Sequence, residues 1–386
     1  MKRGYKYKIK PTCKQKKQLM QAFGCTRFIY NWGLDRKIKA WTEEHKSLTY
    51  IQLAKELTEL KSHEEYKWLR DVPNECLQQS LRNLDNAYTN FFKAKKGFPK
   101  FKSKRKSKSC AKYINSVHFD FDNWKVKIPK CGWVKLCKNR TFDQNQCKQG
   151  TLTVYMDKCG EFWCTILVDD NIEPKPKAKV FGKTSVGIDL GIKDFAILSD
   201  GTRFSNPKYF ENAMKRLRVL ERRFSRTVKG SKRHERMRMK VAKAYRMITN
   251  KREDFLHKLT TYLVDNYDTI CLENLNVDGM LKNHHLAQSI QSASWGEFVR
   301  MLKYKAGREG KNIVFIGRFE PSSKTCSKCG HVYKELTLKE REWTCSECGK
   351  HHDRDVNAAI NIKNFALNPQ ALVAIGEKAE NITDHG

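Results

Sequence analysis

The chain has 386 residues, enough for two or three domains, and its 39% hydrophobic content supports a buried core and excludes global disorder. Lys and Arg number 76 against 42 Asp and Glu, a net charge of +34, and self-repulsion of that size is best relieved by a polyanion whose phosphates release condensed counterions. No apolar run approaches the roughly 20 residues that span a bilayer, and no signal-peptide core follows Met1-Lys2-Arg3-Gly4-Tyr5. A membrane protein is thereby excluded, and a cytoplasmic location with reduced cysteines is expected.

Residues 4–10, Gly-Tyr-Lys-Tyr-Lys-Ile-Lys, alternate apolar and basic side chains, which predicts a strand. Thr12 and Gln15 have capping-box spacing, so a helix follows, with Leu19, Phe23, Tyr30 and Leu34 on one face. A second helix is predicted after Val72-Pro73, where Pro73 is tolerated near the first turn. Its Leu77, Leu81, Leu84, Tyr88 and Phe91 form an apolar stripe, and Gln78 and Gln79 beside them are candidates to face nucleic acid. From Lys93 to Lys108, nine of sixteen residues are Lys or Arg, with Phe98 and Phe101 interleaved. Cations for phosphates and rings for bases suit a nucleic-acid contact, with Lys100 and Lys102 as candidate ligands.

Short strand patterns follow at residues 124–128, 133–136, 152–155 and 162–168, punctuated by Asp122-Asn123, Cys131-Gly132 and Cys159-Gly160. They predict a small β-barrel that includes the N-terminal strand, with the helices from about 12 to 95 inserted into it. Residues 171–177, Asn-Ile-Glu-Pro-Lys-Pro-Lys, read as a linker. A new domain opens near Thr184 with strand, turn and strand. A basic helical pair then runs from about Pro207 to Asp265, broken at Val228-Lys229-Gly230-Ser231. Leu217, Leu220 and Phe224 stripe its first helix, and Ile248, Phe255, Leu259 and Leu263 its second. Arginines at 216, 218, 222, 223, 226, 233, 236 and 238 decorate it, and that excess of one sign suits a groove for nucleic acid, with Arg222 and Arg223 as candidate contacts.

Three acidic positions carry the chemistry. Asp189 lies in Ser185-Val-Gly-Ile-Asp-Leu-Gly191, where strand alternation puts Gly187, Asp189 and Gly191 on one face and leaves room beside the carboxylate for a metal and a phosphate backbone. Glu273 ends the apolar run Thr269-Ile-Cys-Leu-Glu273. Asp355, in His352-Asp-Arg-Asp-Val-Asn-Ala-Ala359, stands where it either caps the following helix or joins the other two, and Ala358 and Ala359 let that helix approach a sheet closely. Phosphodiester hydrolysis needs an activated water and a neutralised leaving oxygen, which two Mg²⁺ ions bridged by carboxylates supply. An Asp on a first strand, a Glu on a later strand and an Asp at a late helix is the order of a ribonuclease H-like fold.

Cys326-Ser-Lys-Cys329 and Cys345-Ser-Glu-Cys348 are two C-x2-C knuckles, each followed by a glycine. This is four-cysteine spacing for one structural Zn²⁺; His331, His351 and His352 lie nearby but are not required.

The motifs Gly187-Ile-Asp-Leu-Gly191, Leu272-Glu-Asn-Leu275, the paired knuckles and Asp353-Arg-Asp-Val-Asn-Ala-Ala359 stand in the order seen in TnpB proteins and shared with compact type V CRISPR effectors. Phe23-Gly-Cys-Thr-Arg-Phe-Ile-Tyr-Asn-Trp32, Leu77-Gln-Gln-Ser-Leu81 and Phe98-Pro-Lys-Phe-Lys102 also resemble that family. The resemblance runs from about Tyr5 to Phe365, and the length resembles TnpB more than the larger CRISPR relatives. It implies an α+β multidomain protein: a wedge-type β-barrel (1–11 and 110–180) with a helical recognition insertion (12–109), then a ribonuclease H-like (RuvC) α/β nuclease domain (184–320 and 351–366). A zinc ribbon (321–350) interrupts that domain, and a disordered tail (367–386) ends the chain. It further implies Asp189, Glu273 and Asp355 as catalytic acids and two catalytic Mg²⁺. The implied partners are a guide RNA transcribed from the transposon end and a target double-stranded DNA with a short adjacent motif. Two other activities remain open to the sequence: a non-cleaving RNA-guided repressor, disfavoured by the intact carboxylates, and a conventional transposase acting without RNA.

Overall fold

Strand alternation organises the first half of the chain. In the computed structural model, which describes residues 1–114, 117–178, 184–282, 287–317, 320–337 and 340–368, β1 (Lys2–Lys10) buries Tyr5, Tyr7 and Ile9, with Lys6 exposed and Lys8 half-buried between them. The chain divides into two units, Met1–Ile172 and Glu173–Gly386, with the boundary inside the expected linker.

In the first unit α1 (Cys13–Glu44) starts at the expected capping box. The Gln15 amide donates to Thr12 Oγ1 at 3.3 Å and the Thr12 amide to Gln15 Oε1 at 3.0 Å. Leu19, Phe23, Tyr30 and Leu34 are all buried. A further helix not among the expected elements, α2 (Tyr50–Leu60), repeats the device with Thr49 and Gln52 and buries Leu53 and Leu57. In α3 (Asn74–Ala94), preceded by Pro73, the stripe buries Leu77, Leu81 and Leu84. Gly33 of α1 admits this packing, since a Cβ there would lie 2.8 Å from Leu81 Cδ2.

The strands β2 (Ser109–Tyr113), β3 (His118–Asp120), β4 (Lys125–Ile128), β5 (Gly132–Leu136), β6 (Lys148–Met156) and β7 (Phe162–Asp169) join β1 in one sheet of order β2-β6-β7-β1-β5-β4-β3. β1 runs antiparallel to β7 from Lys2↔Asp169 to Ile9↔Phe162 and touches β5 on its other side. The three helices therefore interrupt one sheet. Its edge strands end at Tyr113 and begin at His118, five residues apart. Five residues reach at most about 18 Å, whereas seven flat strands span roughly 29 Å. The sheet must therefore curl strongly.

The second unit carries a mixed sheet. β8 (Ser185–Asp189), β9 (Asp194–Leu198) and β10 (Arg203–Ser205) are antiparallel neighbours. The helical pair follows as α4 (Tyr209–Ser225) and α5 (Lys232–Asn266). Then come β11 (Thr269–Glu273), the short α6 (Val277–Met280) and α7 (Ala287–Ala293), α8 (Trp295–Glu309) and β12 (Asn312–Ile316). β11 lies parallel to both β8 and β12, giving the order β10-β9-β8-β11-β12. One face, with Val186 and Ile188, shares a core with Leu256, Leu259 and Leu263 of α5 and Phe298 and Leu302 of α8. A small hairpin, β13 (Glu342–Thr344) with β14 (His351–Asp353), leads into α9 (Arg354–Ala366), which covers the other face.

The approach of α9 is set by Gly187, where a Cβ would lie 2.0 Å from the Ala359 carbonyl oxygen. The small residues Ala358 and Ala359 act as expected, but the room at Gly187 is filled by helix backbone and is not left for a metal or phosphate. The expected tail lies outside the described residues from 369 onward. Among the described residues no helix is long and apolar enough to cross a membrane, and none of the fourteen cysteines is in a disulfide.

Candidate active site

Parallel pairing aligns the first two acids. Ile188 of β8 is opposite Leu272 of β11, so the next residues, Asp189 and Glu273, emerge side by side at the ends of adjacent strands. Helix α9 lies across that face and brings Asp355 in its first turn. Burial first, then the negative charges of Glu273 and Asp355, push the Asp189 carboxyl up to about 7, against the partial relief of Arg354 and Arg341.

The ambiguity at Asp355 resolves through its neighbour. Asp353 caps α9, its Oδ1 accepting from the amides of Asp355 (3.1 Å) and Val356 (2.9 Å). Arg203 donates to the other oxygen of Asp353 at 2.7 Å. Asp355 is released from capping and instead accepts from Arg341 Nη1 at 3.0 Å and from Arg354 Nη2 at 3.0 Å. Glu273 Oε1 accepts from Ser322 Oγ at 2.6 Å. Sequence reasoning missed Ser322, Arg341, Arg354 and the buried amides Asn357 and Asn361. The last two were visible as a polar pair four residues apart on an otherwise apolar helix face.

The four knuckle cysteines gather as expected, with all four Sγ atoms within 4.8 Å of one another. Gly330 and Gly349 take φ of 80° and 64°, and their amides donate back to Cys326 and Cys345 carbonyls at 2.9 Å each. Tetrahedral Zn–S bonds of about 2.3 Å place sulfurs roughly 3.8 Å apart, which the 3.6 Å separations Cys326–Cys348 and Cys329–Cys345 suit. Of the three nearby histidines, His352 is buried with Nε2 3.0 Å from Cys326 Sγ and its ring against Trp343.

The candidate nucleic-acid residues separate into two groups. Gln79 and Lys102 line one pocket of the first unit together with Arg27, Asn83, Lys108 and Lys112. Lys102 is pinned there: its amide donates to Asn31 Oδ1 at 2.7 Å, its carbonyl accepts from Asn31 Nδ2 at 2.8 Å, and Nζ lies 3.5 Å from the Tyr30 ring centre. Burial lowers its pKa. Gln78 is half-buried outside that lining and Lys100 is exposed. Phe98 packs edge-on against Tyr88 and Phe91, although both Phe98 and Phe101 remain partly exposed. In the second unit Arg222 and Arg223 are exposed on α4.

The fold is that of the compact Cas12 effectors. It is similar to the Cas12f1 chain in a Cas12f1–sgRNA–target DNA complex, with TM-score 0.57 and 14% identity over 94% of this chain and 99% of that one. It is also similar to the mini-RNA-guided endonuclease CRISPR-Cas_phi3, with TM-score 0.52 and 9% identity over 95% and 92%. Family models described as a probable transposase (OrfB of IS605), a Cas12f1-like TNB domain and a helix-turn-helix domain match residues 166–284, 295–362 and 1–46. The last region is here one strand and one uninterrupted helix. A Streptomyces pristinaespiralis protein named "Putative RNA-guided DNA endonuclease" is 40% identical over 94% of this chain and 89% of its own length. Escherichia coli InsQ, similarly described, is 31% identical over 98% and 94%. The mimivirus TnpB-like protein L79 is 29% identical over 48% of this chain and 38% of its own. The chain belongs to the TnpB family of insertion-sequence proteins.

Proposed function

We propose that the protein is an RNA-guided double-stranded DNA endonuclease whose Asp189, Glu273 and Asp355 hold two Mg²⁺ ions. The observation that carries this is the placement of Asp189 and Glu273 at the ends of adjacent parallel strands with Asp355 in the first turn of the helix packed on them; the nearby negative charges of Glu273 and Asp355 add to burial in raising the Asp189 carboxyl. An all-oxygen donor set of three half-buried carboxylates suits a hard cation that keeps several of its waters. When bound there, the ions supply an activated water and neutralise the leaving oxygen. Asp189 gives up its raised proton to receive them. Ser322 occupies one oxygen of Glu273, and Arg341 and Arg354 balance the charge on Asp355. The four cysteines hold one structural Zn²⁺.

The sheet order β10-β9-β8-β11-β12, three antiparallel strands then two parallel ones, supports reading the second unit as a RuvC-like domain interrupted by a zinc ribbon. In the same reading the curled sheet is the wedge-type barrel and α1–α3 its recognition insertion. The guide RNA, from the element's end, reads the target by base pairing, while protein grips heteroduplex shape. Gln79 and Lys102 contribute to the recognition of a target-adjacent motif, with Gln78 and Lys100 flanking them, and Arg222 and Arg223 contact phosphates.

The test purifies the full chain with its nucleic acid and sequences the RNA. A defined transcript ending in variable sequence is expected; random cellular RNA defeats the guide model. With that RNA, Asp189→Ala is expected to abolish Mg²⁺-dependent cleavage and leave RNA retention intact. Cleavage that survives the change removes Asp189 from the mechanism, and targeted binding without cleavage by the unaltered protein replaces the endonuclease with a repressor.

A further inference from the structure

The short segment Pro321-Ser-Ser-Lys-Thr-Cys326 leads into the first cysteine knuckle and folds on itself, with Thr325 Oγ1 donating to the Pro321 carbonyl at 2.8 Å. Within it Ser322 is buried, 6% exposed, and its hydroxyl meets Glu273 Oε1 at 2.6 Å, the length of a charge-assisted O–H···O⁻ bond. A glutamate has three side-chain torsions, and fixing one oxygen removes most of that freedom. The second oxygen is left for a cation.

The segment is in turn held by α9. Asn361 Nδ2 donates to the carbonyls of Ser322 (2.7 Å) and Thr325 (2.6 Å). Asn357 Nδ2 donates to the Thr325 carbonyl at 2.8 Å, and its Oδ1 accepts from the Ser327 amide at 3.0 Å. Both amides are buried, at 1% and 2% exposure. Asn is a poor helix former, and a buried amide is costly unless bonded, so two of them four residues apart call for a purpose. We infer that Ser322 is a positioning residue for Glu273, and that Asn357 and Asn361 transmit this placement from α9. One helix then sets two of the three carboxylates: Asp355 through its own backbone, Glu273 through Asn361 and Ser322. This rests on the reading of those carboxylates as metal ligands.

The test titrates Mn²⁺ into the full chain with its co-purified RNA and follows free ion by electron paramagnetic resonance, with zinc content measured alongside. Ser322→Ala is expected to weaken Mn²⁺ binding about tenfold, to raise the Mg²⁺ needed for half-maximal cleavage by a similar factor, and to keep zinc stoichiometry unchanged. Ser322→Thr, which retains the hydroxyl, is expected to stay within about twofold of the native protein, on the same scale. The inference is overturned if Ser322→Ala binds Mn²⁺ like the native chain. It is overturned too if that variant loses its zinc, or if both variants lose affinity equally, since the hydroxyl would then not be what places Glu273. Asp189→Asn run in parallel separates the two readings. If it leaves Mn²⁺ binding untouched, the metal-site reading fails; if it loses the ion while Ser322→Ala keeps it, only the positioning role fails.

Discussion

The carboxylate cluster of the second unit and the basic surfaces of the chain are built in opposite ways. Around Asp189 each group has a fixed neighbour: Ser322 on Glu273, two guanidiniums on Asp355, two buried amides behind the knuckle. Along Lys93–Lys108 and on α4 most cations are exposed, and Lys100, Arg222 and Arg223 stand in solvent. The Gln79–Lys102 pocket lies between these extremes, with its lysine pinned and its amide half-buried. Hydrolysis needs atoms held in place before substrate arrives. Gripping a polyanion needs charge and reach, and tolerates disorder until binding. Rigidity should therefore matter greatly at the first region and little at the second.

The strongest attack on that contrast breaks the cysteine cluster proposed to hold Zn²⁺, which lies outside the carboxylates but is joined to them through Asn357 and Asn361. Cys345→Ser is expected to lower zinc content and reduce cleavage on the order of 100-fold, the scale of disrupted support around a metal site, while RNA retention stays close to native. Zinc-depleted protein that cleaves normally would mean the knuckle supports nothing at the carboxylates.

Proton competition sharpens the comparison at a smaller scale. The Asp189 carboxyl, raised to about 7 chiefly by burial and then by Glu273 and Asp355, must ionise to bind a cation. At subsaturating Mg²⁺, cleavage is expected to fall about tenfold per pH unit below that value and to be restored by added metal. Without metal the sign is reversed for stability. The folded acid binds its proton more tightly than the unfolded one, whose pKa is about 3.9, so metal-free stability declines as pH rises through the window between them. Asp189→Asn should therefore raise the thermal midpoint of the metal-free second unit at pH 8 while abolishing cleavage. An unchanged or lowered midpoint would show that burial does not strain this carboxylate.

How much of this the sequence disclosed follows from the same contrast. The capping box at Thr12 and Gln15, the strand alternation of β1 and the two knuckles are local patterns, legible because a few adjacent residues determine them. The three acids are singled out by residue type and order, and the fold places Asp189 and Glu273 at adjacent strand ends with Asp355 in the first turn of α9. Their supports are not singled out in this way. Ser322 and Glu273 are 49 residues apart, and Arg341 reaches Asp355 across the hairpin, so only tertiary structure reveals them. Gly187 does make room, as its place on the strand predicts, but for the backbone of α9 and not for a metal, because sequence does not say what packs on a sheet face. The short β2 and β3 edges escape sequence reasoning because three to five residues carry too little alternation to mark a strand.

The mildest effect belongs to the second kind of region. Arg222 and Arg223 are adjacent on α4, exposed, and lie outside every hydrogen-bonded network of the carboxylates. Removing one cation that neutralises a phosphate reduces the slope of log affinity against log salt by about 1. The double change Arg222→Ala with Arg223→Ala is expected to weaken nucleic-acid binding several-fold near physiological salt, to flatten that slope by about 1 to 2, and to leave the Mg²⁺ requirement unmoved. Filter binding across a salt series, with a magnesium titration of cleavage in parallel, reads both. A changed Mg²⁺ requirement would erase the division drawn between the two regions, because a surface cation would then be setting the geometry of the carboxylates. An unchanged slope would remove these arginines from the interface and leave the excess charge of α4 without a phosphate to answer it.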